Sequence, residues 1–312
     1  MCRSCGVFIY CDIHALSIRL EENKVKRVLF LLGIIILMLS GCSAEQPPQS
    51  SMSEHWQNTK NLYRMAVTYA GENDSLERHL ELSIKSETLL KQLLSQKNAF
   101  VIDTYNYQPI DEKGTRVYEY SDLNGLPIEI APNGYCIRIS ETYLKYNPVR
   151  LPDNSSWDGK IIYDDKTLNI LVPQKFEHEE LRIIKAYKEL FYFEKVEVAN
   201  IYNEELGNPF DTTSIDDLVI NIIYVSDGQT YFTYYADRCP EDDNLITDPV
   251  VVVYTNNIHS SYAHSFMSQC VFFESQEKDA ISAYKDIEPL IEACNASESY
   301  KKVYSVFEEN KN

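Results

Sequence analysis

The stretch LYRMAVTYAGENDSLERHLELSIKSETLLKQLLSQKNAFVIDTYNY, residues 62–107, carries the clearest fold signal in the chain. Apolar and polar residues alternate from Tyr63 to Tyr69, which predicts a half-buried strand. Asn73-Asp74-Ser75 predicts a helix N-cap, and the leucines that follow predict a helix to about Gln96. A second strand is predicted from Ala99 to Tyr107. Strand, helix and strand in this order predict the opening of an α+β domain in a split βαβ arrangement. The expected buried stripe of the helix is Leu76, Leu80, Ile84, Leu89 or Leu90, Leu93 and Leu94.

Short extended segments are predicted through the middle of the chain, at 136–139, 160–163, 168–172, 196–202 and 249–254. The second and third of these are expected to pair across the turn Asp164-Asp165-Lys166. A further hairpin is predicted where Asp227-Gly228 separates the apolar segments 218–226 and 229–236, because that dipeptide suits a two-residue type I′ turn. These strands predict mixed or antiparallel sheets.

Three more helical segments are predicted after residue 173. The first runs over Glu177–Phe191, with Leu181, Ile184, Tyr187 and Leu190 near helical spacing. The second runs from Gln276 to Cys294 and is kinked by Pro289. The third is a C-terminal helical tail whose apolar stripe, at i, i+3, i+4 and i+7, is Tyr300, Val303, Tyr304 and Phe307. This stripe is the candidate surface for partner contact, and the alternative is that it packs on its own domain.

An export signal is indicated by the apolar run from Val28 to Leu39, which is too short to cross a bilayer as a helix. Lys24, Lys26 and Arg27 precede the run, and it closes on Leu39-Ser40-Gly41-Cys42. This ending resembles the bacterial lipobox, in which the cysteine is acylated with fatty acids such as palmitate. We therefore expect lipidation at Cys42. An ordinary signal peptide or a short anchor containing a cysteine is the alternative.

The signal begins unusually far into the chain, and residues 1–24 are interpreted as a mis-annotated extension. Val25-Lys26-Arg27 resembles a start read from a GTG codon, and Glu21-Glu22 resembles a translated ribosome-binding sequence. The same extension contains four soft ligands that suggest zinc as an alternative: Cys2, Cys5, Cys11 and His14. Their spacing is short for a structural zinc site, so no metal is expected.

The predicted organisation has five segments: the extension 1–24, a lipoprotein signal peptide 25–41, a linker 42–53, an α+β domain 54–273 and C-terminal helices 274–312. Two subdomains meeting near residue 173 are an open alternative within the domain. No second membrane-spanning segment is predicted.

The composition is strongly acidic, with a net charge of −18. Residues 1–41 hold five basic and three acidic side chains, so the chain from Cys42 onward is more acidic still. Such a surface repels phosphate backbones, which excludes nucleic acid as a partner. The 10 glycines argue against a Gly-rich phosphate-binding fold. Four cysteines follow Cys42 at wide spacings that define no disulfide framework, and buried free thiols are expected: Cys136, Cys239, Cys270 and Cys294.

Candidate catalytic chemistry is confined to His259 and His264, which flank Ser260, Ser261 and Tyr262. A Ser/His hydrolase would need an oriented base, and no Gly-x-Ser-x-Gly motif is present, so a structural role is favoured. The loop around Cys239-Pro240 could alternatively be a calcium-binding site. Its residues do not follow the ligand order of an EF-hand, so a solvated turn is favoured there. Its oxygen ligands would be Asp237, Glu241, Asp242, Asp243 and Asn244. The remaining histidines of this part of the chain are expected to be exposed: His55, His79 and His178.

Several phrases of the chain resemble the extracytoplasmic domain of bacteriocin-associated integral membrane proteins of Gram-positive bacteria. That domain is similar in kind to those of MacB/FtsX-type ABC permeases. The phrases are Tyr143-Leu144-Lys145-Tyr146-Asn147-Pro148, Leu168-Asn169-Ile170-Leu171-Val172-Pro173, the segment 196–202, Ile246-Thr247-Asp248-Pro249, and the run from Val253 to Ser260. The likeness spans about Leu62 to Ser305 and implies no catalytic residues. It departs from the family pattern because a lipobox stands where the first membrane helix would be.

The sequence thus predicts a lipid-anchored module on the outer face of a cell membrane, without enzymatic activity and without a cofactor. It would be a binding or accessory part of an ABC-type export or bacteriocin-immunity system, with an ABC permease as its expected partner. Two alternatives stay open: the ectodomain of a truncated permease, and a surface hydrolase using the His259–His264 region.

Overall fold

The strand, helix and strand of residues 62–107 form, and they open an α+β fold, as predicted. The computed structural model describes residues 53–71, 75–107 and 125–310. The expected signal, Cys42 and the cysteines and histidine of residues 1–24 lie outside these described residues.

The described residues form ten strands and eight α-helices. In chain order the strands are β1 Leu62–Ala66, β2 Phe100–Asp103, β3 Ile137–Ser140, β4 Thr167–Pro173, β5 Val219–Val225, β6 Thr230–Phe232, β7 Leu245–Thr247, β8 Val251–Tyr254, β9 Val271–Glu274 and β10 Lys302–Ser305. The α-helices are α1 Glu54–Gln57, α2 Leu76–Gln96, α3 Tyr143–Tyr146, α4 Glu180–Tyr192, α5 Val198–Leu206, α6 Ser260–Gln269, α7 Ala280–Ala293 and α8 Val306–Glu309.

Eight strands form one mixed sheet in the order β10-β1-β9-β2-β3-β8-β4-β5. Strand β9 lies between β1 and β2 and is antiparallel to both, so the βαβ unit of β1, α2 and β2 is split as predicted. The unit of β9, α7 and β10 interleaves with it, because β10 returns to pair with β1. The chain between β2 and β9 supplies the other half of the sheet, in which β3 and β8 are parallel and β4 and β5 are parallel.

Both faces of the sheet are covered. Helices α2, α4, α6 and α7 bury their apolar residues on one face, around Leu90, Tyr187 and Phe266. The opposite face carries a second core around Trp56 of α1 and Phe232 of β6. The strands between these layers are buried on both sides, which is why β4 and β8 read as nearly continuous apolar runs.

The predicted hairpin at Asp227-Gly228 is wrong. Strand β5 pairs with β4 in the large sheet, whereas β6 pairs with β7 in a separate two-stranded sheet. Gly228 has the expected positive φ of 74°, but Asp227 is not in the left-handed region that a type I′ turn requires at both central residues. Side chains from elsewhere hold the turn: Asp227 Oδ1 accepts the Lys175 N–H (2.9 Å), and Asp248 Oδ1 accepts the Gln229 N–H (2.9 Å). The chain therefore passes from one sheet to the other.

The predicted strand at 196–202 is also wrong, because the helix that begins at Glu180 continues through it. A π-helical turn, Phe193–Glu197, joins α4 to α5, and Gly207 ends α5 with a positive φ of 69°. The extra residue of the π turn rotates the helix, so that Val196 and Val198 are both buried. This i, i+2 burial imitates the period of a strand in the sequence.

Segment 160–163 is not a strand. The Asn169 side chain of β4 bonds both backbone groups of Ile162 (2.8 Å each) and so replaces a strand ladder. Two residues assigned to buried helical stripes, Ile84 and Leu181, are exposed, because α2 and α4 turn other side chains to the core.

The predicted helical tail is largely a strand. β10 pairs antiparallel with β1, which aligns Val303 with Met65, and only Val306–Glu309 is helical. Tyr300 and Val303 are 0% and 4% exposed, so their side chains lie in the core and not at the surface. Tyr304 and Phe307 are half-exposed, and for them partner contact stays a prediction.

Candidate functional site

His259 caps helix α6. Its Nδ1 accepts the Ser261 backbone N–H at 3.3 Å and lies 2.9 Å from the Ser261 hydroxyl. Burial lowers the pKa of His259 to about 4. This geometry satisfies the first turn of a helix with a local side chain, as N-caps do. The pairing of a histidine with a serine thus has a structural use here.

His264 and His79 lie beside His259 in a buried polar network. His264 Nδ1 is 2.8 Å from Ser86 Oγ, and the Ser86 hydroxyl is 2.7 Å from Tyr300 Oη. The rings of His79 and His264 meet edge to face, with centroids 5.5 Å apart. The network includes side chains of helices α2 and α6 and Tyr300, which lies two residues before β10.

Tyr202 of α5 completes the network. Its hydroxyl is 2.7 Å from His79 Nδ1, and its ring stacks on His259 with centroids 4.5 Å apart. The expectation that His79 is exposed is therefore wrong, because α5 packs over the part of α2 that carries it. No signal in the sequence around His79 distinguishes it from an exposed helical histidine. We call these side chains the imidazole cluster: His79, His259, His264, Tyr202, Ser261, Ser86 and Tyr300.

The imidazole cluster is uncharged at neutral pH. Burial lowers the pKa of His79 and of His264 to about 4, and each is lowered further by a neighbouring imidazole. Within the described ranges no carboxylate hydrogen-bonds to any of the three rings. Ser261 is buried as well. The side chains of the imidazole cluster can donate and accept hydrogen bonds. No carboxylate among the described residues is bonded to them in the way that would orient a general base.

A second buried polar site lies at the centre of the large sheet. Arg138 of β3 donates from Nη2 to both carboxylate oxygens of Glu194 in the π turn, at 2.7 and 2.8 Å. The two side chains are 4% and 0% exposed. The guanidinium also lies over the ring of Phe266, 5.6 Å from its centroid. Asp103 of β2 is the cross-strand neighbour of Arg138, and burial raises its pKa.

The two sites are joined through the backbone, since the His259 N–H donates to the Glu194 carbonyl at 3.1 Å. The Arg138–Glu194 pair was not predicted from the sequence. Its signal is an arginine inside the apolar run CIRI at 136–139 and a glutamate that follows three aromatic residues in FYFEKV at 191–196. Separated by more than fifty residues, the two charges could be matched only in the folded chain.

The acidic loop is a turn organised by an amide. Asn244 donates to the carbonyls of Ala236 (3.1 Å) and Arg238 (2.8 Å) and accepts from Trp56 Nε1 (2.9 Å). No three His, Cys, Asp or Glu side chains among the described residues are grouped so that they could hold a metal ion. Four cysteines of the described part are free thiols: Cys136, Cys239, Cys270 and Cys294.

No family model, no curated protein and no solved structure matches this chain. Its class is therefore defined by its own topology, an α+β fold built on one mixed sheet with a split βαβ opening. Across residues 53–71, 75–107 and 125–310, no helix has both the length and the apolar character needed to span a bilayer.

Proposed function

We propose that this protein is a lipid-anchored, extracytoplasmic binding or accessory module of an ABC-type export or bacteriocin-immunity system, and that it is not an enzyme. The non-enzymatic part of the proposal rests on the structural role of residues 259–264, and the anchor rests on the lipobox-like ending at Cys42. His259 and Ser261 cap a helix, and His264 is enclosed in the imidazole cluster. The residues with the strongest catalytic character in the sequence are thus occupied in holding helices together.

The surface charge supports attachment through a lipid rather than through basic residues. A chain with a net charge of −18 is repelled by anionic headgroups. The linker from Cys42 to Ser53 would allow the domain to reach a few tens of ångströms, on the order of 20 Å as a flexible coil and about 35 Å when extended. Its partners would therefore be membrane proteins or molecules arriving at the membrane.

The anchor is tested by Cys42→Ala. We expect the variant to lose incorporation of labelled palmitate and either to leave the membrane fraction or to remain unprocessed. Cys239→Ala is the matched control, because Cys239 is a half-buried free thiol of the folded domain, and labelling should persist. Continued labelling of the Cys42→Ala protein would contradict the proposed anchor.

The absence of catalysis is tested with purified protein and ester and peptide substrates. We expect no turnover above that of the His259→Ala variant. The matched control is His178→Ala, which changes an exposed histidine outside the cluster. Turnover that is lost in His259→Ala and kept in His178→Ala would establish a hydrolase instead.

Partner contact is tested with the double variant Tyr304→Ser and Phe307→Ser. We expect weaker co-purification with an ABC permease and a melting temperature within a few degrees of the parent protein. The Arg64 guanidinium and the Lys302 ammonium lie over the Tyr304 ring, 5.2 and 4.9 Å from its centroid. Losing these cation–π contacts at a partly exposed site should lower the stability of the variant only slightly. Tyr163→Ser, at an exposed tyrosine elsewhere, is the control. A large fall in melting temperature would assign both rings to the core.

A further inference from the structure

The loop between β6 and β7, residues 233–244, is attached to helix α1 by a buried hydrogen bond. Trp56 of α1 donates from Nε1 to Asn244 Oδ1 at 2.9 Å. The Asn244 amide donates in turn to the carbonyls of Ala236 (3.1 Å) and Arg238 (2.8 Å) inside the loop. A side chain from outside the loop therefore completes the hydrogen bonds of the residue that organises it.

Helix α1 is held by a single buried side chain. It has four residues, of which only Trp56 is buried, and its N-cap Ser53 makes no side-chain capping bond. The Trp56 ring meets Phe232 edge to face at a centroid distance of 4.9 Å, and the His55 ring stacks on Phe232 at 5.0 Å. Because these contacts are made to β6 and to the loop that follows it, α1 and the β6–β7 unit support each other.

The β6–β7 unit needs such support. Its strands have three residues each and form a two-stranded sheet separate from the large one. A sheet of two short strands is at best marginally stable by itself in water. Losing the contacts with α1 should therefore loosen this unit more than the eight-stranded sheet, whose central strands are paired on both sides.

Part of the loop backbone is in an unfavourable conformation. Four of its residues lie in the left-handed region: Tyr234 (φ 61°), Cys239 (46°), Asp243 (55°) and Asn244 (62°). Asp and Asn tolerate this region, but for tyrosine and cysteine it costs energy. Arg238 is 9% exposed, yet its Nε bonds to no described group. Opening the loop would relieve both costs, which favours a local opening over global unfolding.

We propose that α1 is a releasable strap: α1 and the loop 233–244 open together in a local transition, while the large sheet stays folded. In this transition Trp56 leaves Asn244 and Phe232 together, and part of the Phe232 ring, 1% exposed in the closed form, becomes accessible.

The position of the strap gives it a regulatory consequence. Because α1 directly follows the linker 42–53, a pull on the linker reaches Trp56 before it reaches β1. A pull on the anchor would thereby change the apolar surface that the module presents to a partner. This consequence rests on the proposed function, whereas the strap itself does not.

The strap is tested by hydrogen exchange of the full chain in mild detergent at neutral pH, read by mass spectrometry. Trp56→Phe keeps an aromatic ring but leaves the buried Asn244 oxygen without its donor. We expect the loop amides to exchange about tenfold faster, and those of β4 to be unchanged. Trp157→Phe is the matched control, because Trp157 donates to the Val149 carbonyl (2.9 Å) outside the loop. The reporting amides all donate within the loop: Thr233, Arg238, Asp242 and Asn244.

The reverse measurement starts from the loop. The chain has two tryptophans, so Trp56 is the single one in Trp157→Phe. Adding Asn244→Gly removes the acceptor and suits the positive φ, and it should shift the Trp56 emission to the red and increase its quenching by acrylamide. Asn154→Gly, the same change at another left-handed asparagine (φ 53°), should do neither.

The proposal would be overturned by loop amides that exchange only together with those of β4. It would also be overturned by a Trp56→Phe protein whose loop exchanges as in the parent chain, or by Trp56 quenching that Asn244→Gly leaves unchanged. Neither measurement requires lipidation, so a failure here is distinct from a failure of the Cys42→Ala test.

Discussion

Replacing Glu194 with glutamine removes one charge from the buried pair with Arg138 and keeps the shape of the side chain. The pair lies at N–O distances of 2.7 and 2.8 Å, and neither side chain has appreciable contact with solvent. Removing one partner of a buried ion pair typically costs about 3–5 kcal/mol, because the remaining charge loses the counter-charge that offset its desolvation. We therefore expect the free energy of unfolding of Glu194→Gln to fall by about 3–5 kcal/mol.

Urea denaturation followed by circular dichroism would measure the loss, and a double-mutant cycle would isolate the pair. Arg138→Met combined with Glu194→Gln removes both charges of the pair. The double variant should therefore lose less than the two single variants together, by at least about 2 kcal/mol.

The matched control is the exposed pair of Glu179 and Arg182, whose N–O distance is also 2.7 Å. Glu179→Gln should cost no more than about 1 kcal/mol, because solvent screens this pair. A Glu194→Gln protein within about 1 kcal/mol of the parent, or additive single variants, would refute the argument that burial decides the energy.

The three buried histidines, Gly228 and Asp279 each allow a further test. The imidazoles of His79, His259 and His264 have pKa values lowered to about 4 from 6.5, so the unfolded chain binds more protons between these two values. The free energy of unfolding should have its full value above pH 6.5 and should fall as the pH drops toward 4. At pH 5 it should be lower by about 2 kcal/mol for each imidazole. Equal urea midpoints at pH 7.5 and 5 would contradict this. Gly228→Val should cost about 1–2 kcal/mol, from strain at φ 74° alone, since no atom lies within 4 Å of the added Cβ. A thermal melt would detect it, and an unchanged melting temperature would show that the turn can rearrange. Asp279→Ala should cost about 1 kcal/mol in urea unfolding, because Asp279 accepts the first N–H groups of α7, and Asp279→Asn should restore most of it.

Local patterns predicted the positions of several elements. Strand β1 and the Ser75 cap of α2 form as expected, but β1 is buried at four of its five residues and not on one face alone, because it lies inside the sheet between β10 and β9. The strand prediction for 196–202 was wrong because a π turn changes the burial period inside a helix. The strand prediction for 160–163 was wrong because the Asn169 side chain forms the hydrogen bonds to Ile162 that a neighbouring strand would form.

The candidate site divides in the same way. His259 and Ser261 could be singled out from the sequence because they are two residues apart. Their association with His79, and that of Arg138 with Glu194, depends on helices and strands that meet only after folding. Burial also decides the charge of these groups, and a sequence carries no direct record of burial.

The sequence by itself determined the α+β class, the split βαβ opening, the cap of α2 and the acidic surface, since these depend on local spacing and composition. Only the tertiary structure decided that residues 302–305 form a strand beside β1, that β5 lies at the edge of the large sheet, and that a charged pair is enclosed at the centre of the sheet. The physical reason is that strand pairing and burial are contacts between residues far apart in the chain. Their energy depends on which group lies opposite each side chain in the folded structure.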